Sequence, residues 1–318
     1  MPDLRVAFWN VENLFHPDAG VERGPKTLAE LDLKIQALVQ VISTMVEGQR
    51  PHVLGLIEIG DQVVFDRLKA AIDPTWIGVW EAPGTKSQTG LGLMADPTRV
   101  KSLKAVDAER PTVLSKPRAM IVECELNELD PLVVAVTHWK SRMQSGGVDD
   151  SADRNESGRW LGQQLSDRYS SAHCILVGGD FNAEPFEGPF LESALRAKRH
   201  HSSILHSQAT AAYLYNTGWR CLAEPALWED TQVNGFVPTA SITTHGSGAG
   251  LVFDHIMVSK RLLRGGPLRL KEATVKIVAD PAIRGPGAKI FPLKWKHDSL
   301  AGTTAGLSDH FPVVAVLE

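Results

Sequence analysis

The segment Gly178-Gly179-Asp180-Phe181-Asn182-Ala183-Glu184-Pro185 sets a carboxylate and a carboxamide two positions apart, directly after the apolar run Cys174-Ile175-Leu176-Val177. The run reads as a buried strand ending in a glycine-rich turn. Two polar side chains at such a strand end can aim at one point above a sheet. Both are oxygen donors, the type that suits Mg²⁺ or Mn²⁺ and can position a water molecule. Similar residues stand at other handovers from strand to loop. Asn10 and Glu12 follow the first apolar run, Glu58 the second, and His138 follows Leu132–Thr137. Asp254 lies within Leu251–Val258, and Asp309 and His310 precede Phe311–Leu317. Each alone has an ordinary reading: a turn asparagine, a solvated strand end, a salt-bridge aspartate, a satisfied core histidine. As a set they favour chemistry, because strand ends of one layered fold converge on one face.

The elements that must position them are legible from periodicity. Leu4 to Trp9 predicts a strand, and Thr27-Leu28-Ala29-Glu30 a capped helix start. Leu28, Leu31, Ile35, Leu38, Ile42 and Met45 then mark an amphipathic helix ending near Gly48. Val53–Ile57 predicts a buried strand, and Asp61 opens a second helix with Val64, Phe65, Leu68 and Ile72 inward. Strand-like runs follow at 76–81, 90–94, 100–106, 118–126 and 132–138. Helices are expected around 158–169 and 188–198, then an irregular stretch from about 200 to 250 containing Tyr213, Tyr215, Trp219, Trp228 and Phe236. Strands resume at 251–258 and close the chain at 311–317. Without regular alternation of strand and helix, the pattern predicts a mixed α/β layered domain and not a doubly wound sheet. No repeat or linker divides the chain, so one domain over 1–318 is expected.

The 318 residues, 43% hydrophobic and 22% charged, suffice for a sizeable core. A net charge of −4 offers no global attraction for nucleic acid, though a local basic groove is compatible with it. Cys124, Cys174 and Cys221 are far apart, with no C-x-x-C spacing, and imply neither a disulfide framework nor a thiolate metal site. No basic segment followed by a long apolar run opens the chain, and the expected location is cytoplasmic.

Together the segments Phe8–Phe15, Leu54–Glu58, Thr137–Ser141, Gly179–Asn182, Phe253–His255 and Ser308–His310 resemble, in order, the motifs of the endonuclease/exonuclease/phosphatase superfamily. That superfamily includes deoxyribonuclease I, apurinic endonucleases, sphingomyelinases and inositol polyphosphate phosphatases. The opening segment looks closest to bacterial nuclease-like members. The resemblance implies an α/β (α+β) four-layered sandwich, two mixed β-sheets packed face to face with helices on the outer faces. It also implies hydrolysis of a phosphoester with Mg²⁺ or Mn²⁺. Carried over residue by residue, Asn10, Glu58 and Asp309 form the metal site, and Asp180 with Asn182 orients or deprotonates the attacking water. His310 contacts the scissile phosphate, held by Asp254; His138 is a second contact and Arg118 a third. Glu12 stands at the family's second acidic position as a candidate outer metal ligand. The family often carries Gln before the metal-binding Glu, where Ile57 stands here.

The substrate is less sharply marked. Lys289, Lys294, Trp295 and Lys296, with Lys140 and Arg142 after His138, could line a groove for a nucleic-acid backbone, lysines on phosphates and the indole under a base. The same cluster reads equally as a solvated loop whose tryptophan packs inward. A metal-dependent nuclease acting on DNA or RNA is therefore the leading expectation. A phosphatase or phosphodiesterase on a small or lipid-linked phosphate is the alternative, and a catalytically silent binding module a third. No amphipathic basic helix points to a membrane surface.

Overall fold

The computed structural model describes residues 3–83, 89–108, 119–127, 129–142, 151–191, 195–198, 204–205, 211–222, 242–246, 249–285, 290–298 and 303–318. In chain order the first elements are β1 (Leu4–Leu14), α1 (Leu28–Ile42), β2 (Val53–Ile59), α2 (Gln62–Ile72), β3 (Ile77–Glu81) and β4 (Gly90–Ala95). There follow β5 (Val100–Ala105), β6 (Ala119–Leu126), β7 (Leu132–His138), α3 (Ser151–Arg168) and β8 (Cys174–Asp180). The remaining strands are β9 (Arg196–Lys198), β10 (Tyr213–Asn216), β11 (Thr244–Gly246), β12 (Ala249–Leu251), β13 (Asp254–Val258), β14 (Leu270–Ile277), β15 (Lys296–Asp298), β16 (Thr303–Ala305) and β17 (Val313–Leu317).

Two sheets of opposite provenance result: a six-stranded one in the order β14-β17-β1-β2-β4-β3 and a seven-stranded one in the order β5-β6-β7-β8-β13-β10-β9. Each contains a parallel pair closed by a helical crossover, β1-α1-β2 in the first and β7-α3-β8 in the second, while most other pairings are antiparallel. Parallel neighbours need such a crossover, and the carboxyl ends of the paired strands then lie at the same edge. Asn10 and Glu58 lie toward that end of one pair, His138 and Asp180 at that end of the other.

Burial alternates as a layered sandwich requires. Along β6, Met120, Val122 and Cys124 join the large core, whereas Ala119 and Ile121 belong to a second cluster with Trp160, Leu161 and Leu165 of α3. Helix α1 buries Leu31, Ile35, Leu38, Val41 and Ile42 in the large core, each worth about 1.5–3 kcal/mol of transfer from water. Its start is capped as the sequence predicts, Thr27 accepting the Glu30 amide at 3.1 Å, but the Glu30 carboxylate reaches back to Lys26 N–H and not to the cap itself. All three cysteines are buried and unpaired. No described helix is long and apolar enough to cross a membrane.

The structure departs from the sequence expectations in several places, among them β10 and β11 within the stretch expected to be irregular and α3 beginning at Ser151, ahead of 158. The helix expected over 188–198 is one turn, Gly188–Leu191, followed by strand β9, which pairs with β10 in parallel. Strand β14 is unanticipated because Lys271, Glu272 and Lys276 interrupt its apolar pattern, which an edge strand tolerates. The glycines Gly178 and Gly179 are interior to β8 and do not form a turn. A Cβ on Gly178 would lie 2.4 Å from the Phe8 ring, so the bare glycine makes room for Phe8 of the facing sheet. Gly179 adopts φ +130, which side chains rarely take, with the Thr137 carbonyl 2.4 Å from a would-be Cβ.

Candidate active site

Asn10 joins the two sheets. Its Nδ2 donates to Glu58 Oε1 at 3.2 Å and to Asp180 Oδ2 at 3.1 Å, while its Oδ1 accepts the Glu12 amide at 3.0 Å. The local backbone is bent to allow this. The β1–β2 register breaks between Asn10 and Leu14, the β2–β4 register between Ile57 and Ile59. At these irregularities Glu12, Asn13 and Glu58 take φ values of 45, 50 and 68. A non-glycine residue there costs about 1–2 kcal/mol, and bulges of this kind re-aim side chains beside functional sites. The Asn13 amide then holds Glu58 Oε2 at 2.9 Å.

The second sheet supplies three more groups in one row. His138 pairs with Asp180 across β7 and β8, and Asp180 with Asp254 across β8 and β13, so their side chains leave the same face. His138 Nε2 stands 3.7 Å from Glu58 Oε1 and 3.9 Å from Asp180 Oδ2. His310, arriving from the first sheet, places Nδ1 on Asp254 Oδ2 at 2.8 Å and Nε2 at 3.7 Å from Asp180 Oδ2. Asn182 is in the left-handed region at φ 48; its amide N–H closes onto Asp180 Oδ1 at 2.8 Å and its Nδ2 onto the Trp139 carbonyl at 3.1 Å. Trp139, Phe181, Phe190 and His255 form a ring cluster behind this turn.

Charge in this group is poorly neutralised. Desolvation, then repulsion from Asp309, raises the Glu58 carboxyl above its ordinary range, against the hydrogen bonds from Asn13 and Asn10. Burial pushes Asp180 up to about 6, although His310 and His138 pull the other way. Burial also opposes charge on His310, but Asp254 and Asp180 outweigh it and hold the imidazolium well above the usual histidine value. Asp254 Oδ1 is buried with no hydrogen-bond partner. A crowd of hard oxygen donors with raised carboxyls fits a divalent cation of the Mg²⁺ class, and Glu58 and Asp309 are the residues that could hold it. Asn10, expected in the same metal site, bridges the Glu58 and Asp180 carboxylates through Nδ2 while its oxygen accepts the Glu12 amide. Asp180, Asp254 and His310 also bring ligand-type atoms within 4.8 Å of one another, but Nδ1 of His310 is already spent on Asp254.

The remaining expected residues are placed as follows. Glu12 is buried, and its Oε2 accepts the backbone N–H groups of Trp295 and Asp309, each at 3.1 Å. That makes Glu12 a structural staple between the loop at Trp295 and the segment at Asp309. Trp295 packs inward against the large core, the second of the two readings of its loop, while Lys294 and Lys296 are exposed. Lys294 Nζ lies 3.4 Å from Asp309 Oδ2. Lys140 pairs with Asp153 of α3 at 2.9 Å, and Arg142 donates to the Asn182 carbonyl at 3.2 Å, pairs with Glu187 and lies over the Phe253 ring. Arg118, Lys289, Trp228 and Phe236 lie outside the described residues.

Sequence reasoning missed several supports. Trp9 Nε1 holds the His310 carbonyl at 3.0 Å, and Ser308 Oγ the Asn10 carbonyl at 2.6 Å. Thr243 Oγ1 accepts the Phe253 and Asp254 amides, and Thr244 Oγ1 donates to the Asp309 carbonyl. Lys34, fully buried in α1, donates to the Glu12 carbonyl and sits 5.5 Å from the Trp295 ring centre. Only Trp9 and Ser308 had a signal, their places inside motifs.

Glu184 was also missed. Its Oε1 accepts the Val252 amide at 3.2 Å, its Oε2 is buried without a partner, and burial pushes it up to about 7 from 4.5. Its folded form binds protons more tightly than the unfolded chain, so this contribution to stability is lost as pH rises from about 4.5 through about 7. Glu184→Gln should therefore gain on the parent between pH 5 and pH 8 by on the order of 2 kcal/mol, read by urea unfolding. Equal stability of the two proteins at pH 8 would contradict this.

The chain matches the model of the "Endonuclease/Exonuclease/phosphatase family" over residues 7–310. Comparison with curated proteins finds no significant match. Among solved structures, D. rerio TDP2 complexed with a single-strand DNA product is 15% identical, with 100% of each chain covered and a TM-score of 0.57. The human Nocturnin catalytic domain with bound sulfate is 20% identical over 100% of this chain and 94% of that one, TM-score 0.54. An endonuclease/exonuclease/phosphatase family protein from Bacteroides thetaiotaomicron is 14% identical over 99% and 97%, TM-score 0.57.

Proposed function

The chain belongs to the endonuclease/exonuclease/phosphatase family, and from that premise we propose that it is a divalent-metal-dependent nuclease, one catalytic domain hydrolysing phosphodiester bonds of DNA or RNA by in-line attack of water. The observation that carries this reading is the bridge through Asn10 between Glu58 and Asp180, carboxylates contributed by opposite sheets and overlooked by the His310–Asp254 pair.

Glu58 and Asp309 would hold Mg²⁺ or Mn²⁺, with Asn10 keeping Glu58 in line. The cation, when bound, neutralises the charge that develops on the phosphate and leaving oxygens. Asp180 accepts the proton of the attacking water, and Asn182, locked by its bonds to Asp180 and Trp139, sets the direction from which that water approaches. His310 donates from Nε2 to a non-bridging oxygen, its ring fixed by Asp254 at Nδ1; His138 serves the same phosphate from β7. The exposed side chains of Lys294, beside Asp309, and of Lys296, two residues on, suit a polyanion better than a lone monoester. The single-strand DNA product named for D. rerio TDP2, a protein of similar fold, points the same way.

The test is a panel of single- and double-stranded DNA, RNA, cyclic dinucleotides, inositol phosphates and a generic diester, each with Mg²⁺ or Mn²⁺ and an Asp180→Ala control. Turnover of DNA or RNA that chelation and the control abolish is expected. Turnover of soluble monoesters alone would replace the nuclease with a phosphatase, and no turnover of any substrate would remove the hydrolytic assignment.

A further inference from the structure

Lys34 occupies a position no surface lysine on an amphipathic helix would take. It is fully buried in α1, its ammonium between the Glu12 carbonyl oxygen and the Trp295 ring. Burying an ammonium costs several kcal/mol unless it is well partnered, so a residue held this way has a task beyond filling space. The partners show which task. Glu12 carries the N–H of Trp295 on its carboxylate, and the Trp295 ring lies beside Lys34, so side chain and backbone of one residue are gripped from β1 and α1 together. On either side of that grip stand Lys294, 3.4 Å from Asp309, and Lys296, the first residue of β15. The loop is closed from behind at Gly306, where a Cβ would meet the Lys294 carbonyl at 2.2 Å, and by the Leu307 amide on the Leu293 carbonyl.

We propose that Lys34 is a positioning residue for substrate: through Glu12 and the Trp295 ring it sets the loop so that Lys294 stands at the site to receive a phosphate of the nucleic-acid backbone. The inference rests on the nuclease reading above. Lys34 touches no reacting atom. It acts through Lys294, and mainly on substrate affinity, because Asp309, although its N–H shares Glu12 Oε2 with that of Trp295, has further anchors of its own. Thr244 Oγ1 holds the Asp309 carbonyl at 2.8 Å, and the neighbouring Ser308 hydroxyl holds the Asn10 carbonyl at 2.6 Å.

The experiment compares wild type, Lys34→Met, Lys294→Ala and the double variant on a labelled single-stranded DNA oligonucleotide with Mn²⁺, alongside Mn²⁺ binding to the substrate-free proteins. Lys34→Met should raise KM about 10-fold, the scale of one charge-assisted contact, with kcat changed less than about 3-fold. The slope of log KM against log salt should fall by roughly 0.7, one phosphate contact on a single strand. Lys294→Ala should add nothing in the Lys34→Met background, the mark of one shared path. Mn²⁺ affinity should stay within about 3-fold of wild type. Additive losses, a fall in kcat alone, or collapse of Mn²⁺ binding would each overturn the proposal, the last by showing that Lys34 acts on Asp309. Should Lys34→Met not fold, Trp295→Leu, which removes the ring and keeps the N–H to Glu12, must give the same KM signature; an unchanged KM there overturns it too. Absence of turnover in wild type would instead defeat the nuclease reading itself.

Discussion

Asp180→Asn is expected to lower kcat by about 10³-fold while the metal-free protein melts no earlier than the parent at neutral pH. The two halves of this result have one cause. Asp180 is buried, 1% exposed, and faces Asp254, so its negative charge is held in a place that resists it, as its shift up to about 6 records. An amide of the same shape can turn its oxygen to only one of the two donors Asp180 accepts, the Asn182 N–H and Asn10 Nδ2, but that loss is offset because it carries no charge to desolvate. It also cannot take a proton from water. Activity would thus be lost with no stability penalty, the exchange expected where a site is built at the fold's expense. Turnover of the panel's best substrate, read beside thermal unfolding by circular dichroism, checks both halves. A kcat within tenfold of wild type would remove Asp180 from the chemistry, and a markedly earlier melt would make the loss a folding defect.

The second large effect falls on the His310–Asp254 pair. Asp254→Asn should cost about 10–100-fold in kcat, the usual scale for a group that orients another. His310→Gln should cost more, and the double variant no more than His310→Gln alone. Both side chains are buried, and the 2.8 Å bond from Nδ1 to Asp254 leaves Nε2 as the nitrogen turned toward Asp180. Without the carboxylate, neither the ring orientation nor the nitrogen that carries the outward proton is enforced. Losses that simply add in the double variant would mean that Asp254 acts by a route separate from His310.

Much of the site was legible as a set and in no residue alone, because its side chains sit at strand ends where apolar runs stop and polar residues begin. The runs are short, dense in β-branched and leucine side chains, and 132–138 is β7 without adjustment, although β1 continues five residues past Trp9 to Leu14 and β13 starts only at Asp254. The misreadings have a common physical origin. Lys34 falls three positions after Leu31 and four before Leu38, at the flank of the apolar face of α1, but nothing local says that Glu12 and Trp295, 22 and 261 positions away, will partner it there. Trp295 between two lysines looks like a stacking platform until the core behind it is visible. Residues 196–198 read as the end of a helix because strand β9 is decided by its pairing with β10, a contact from outside the window.

By itself the sequence determined the layered α/β class, the order of the motifs and the chemical types at the site, since these depend on local periodicity and on which atoms can bind a hard cation or donate to phosphate. Tertiary structure alone decided how those types divide the work. The Asn10 amide bridges the two carboxylates, Glu12 staples two loops, and Gly178 leaves clearance for Phe8 within β8. Hydrogen-bond direction, burial and charge repulsion are properties of neighbours in space, and they appear only when the carboxyl ends of two parallel strand pairs, from two different sheets, are brought face to face.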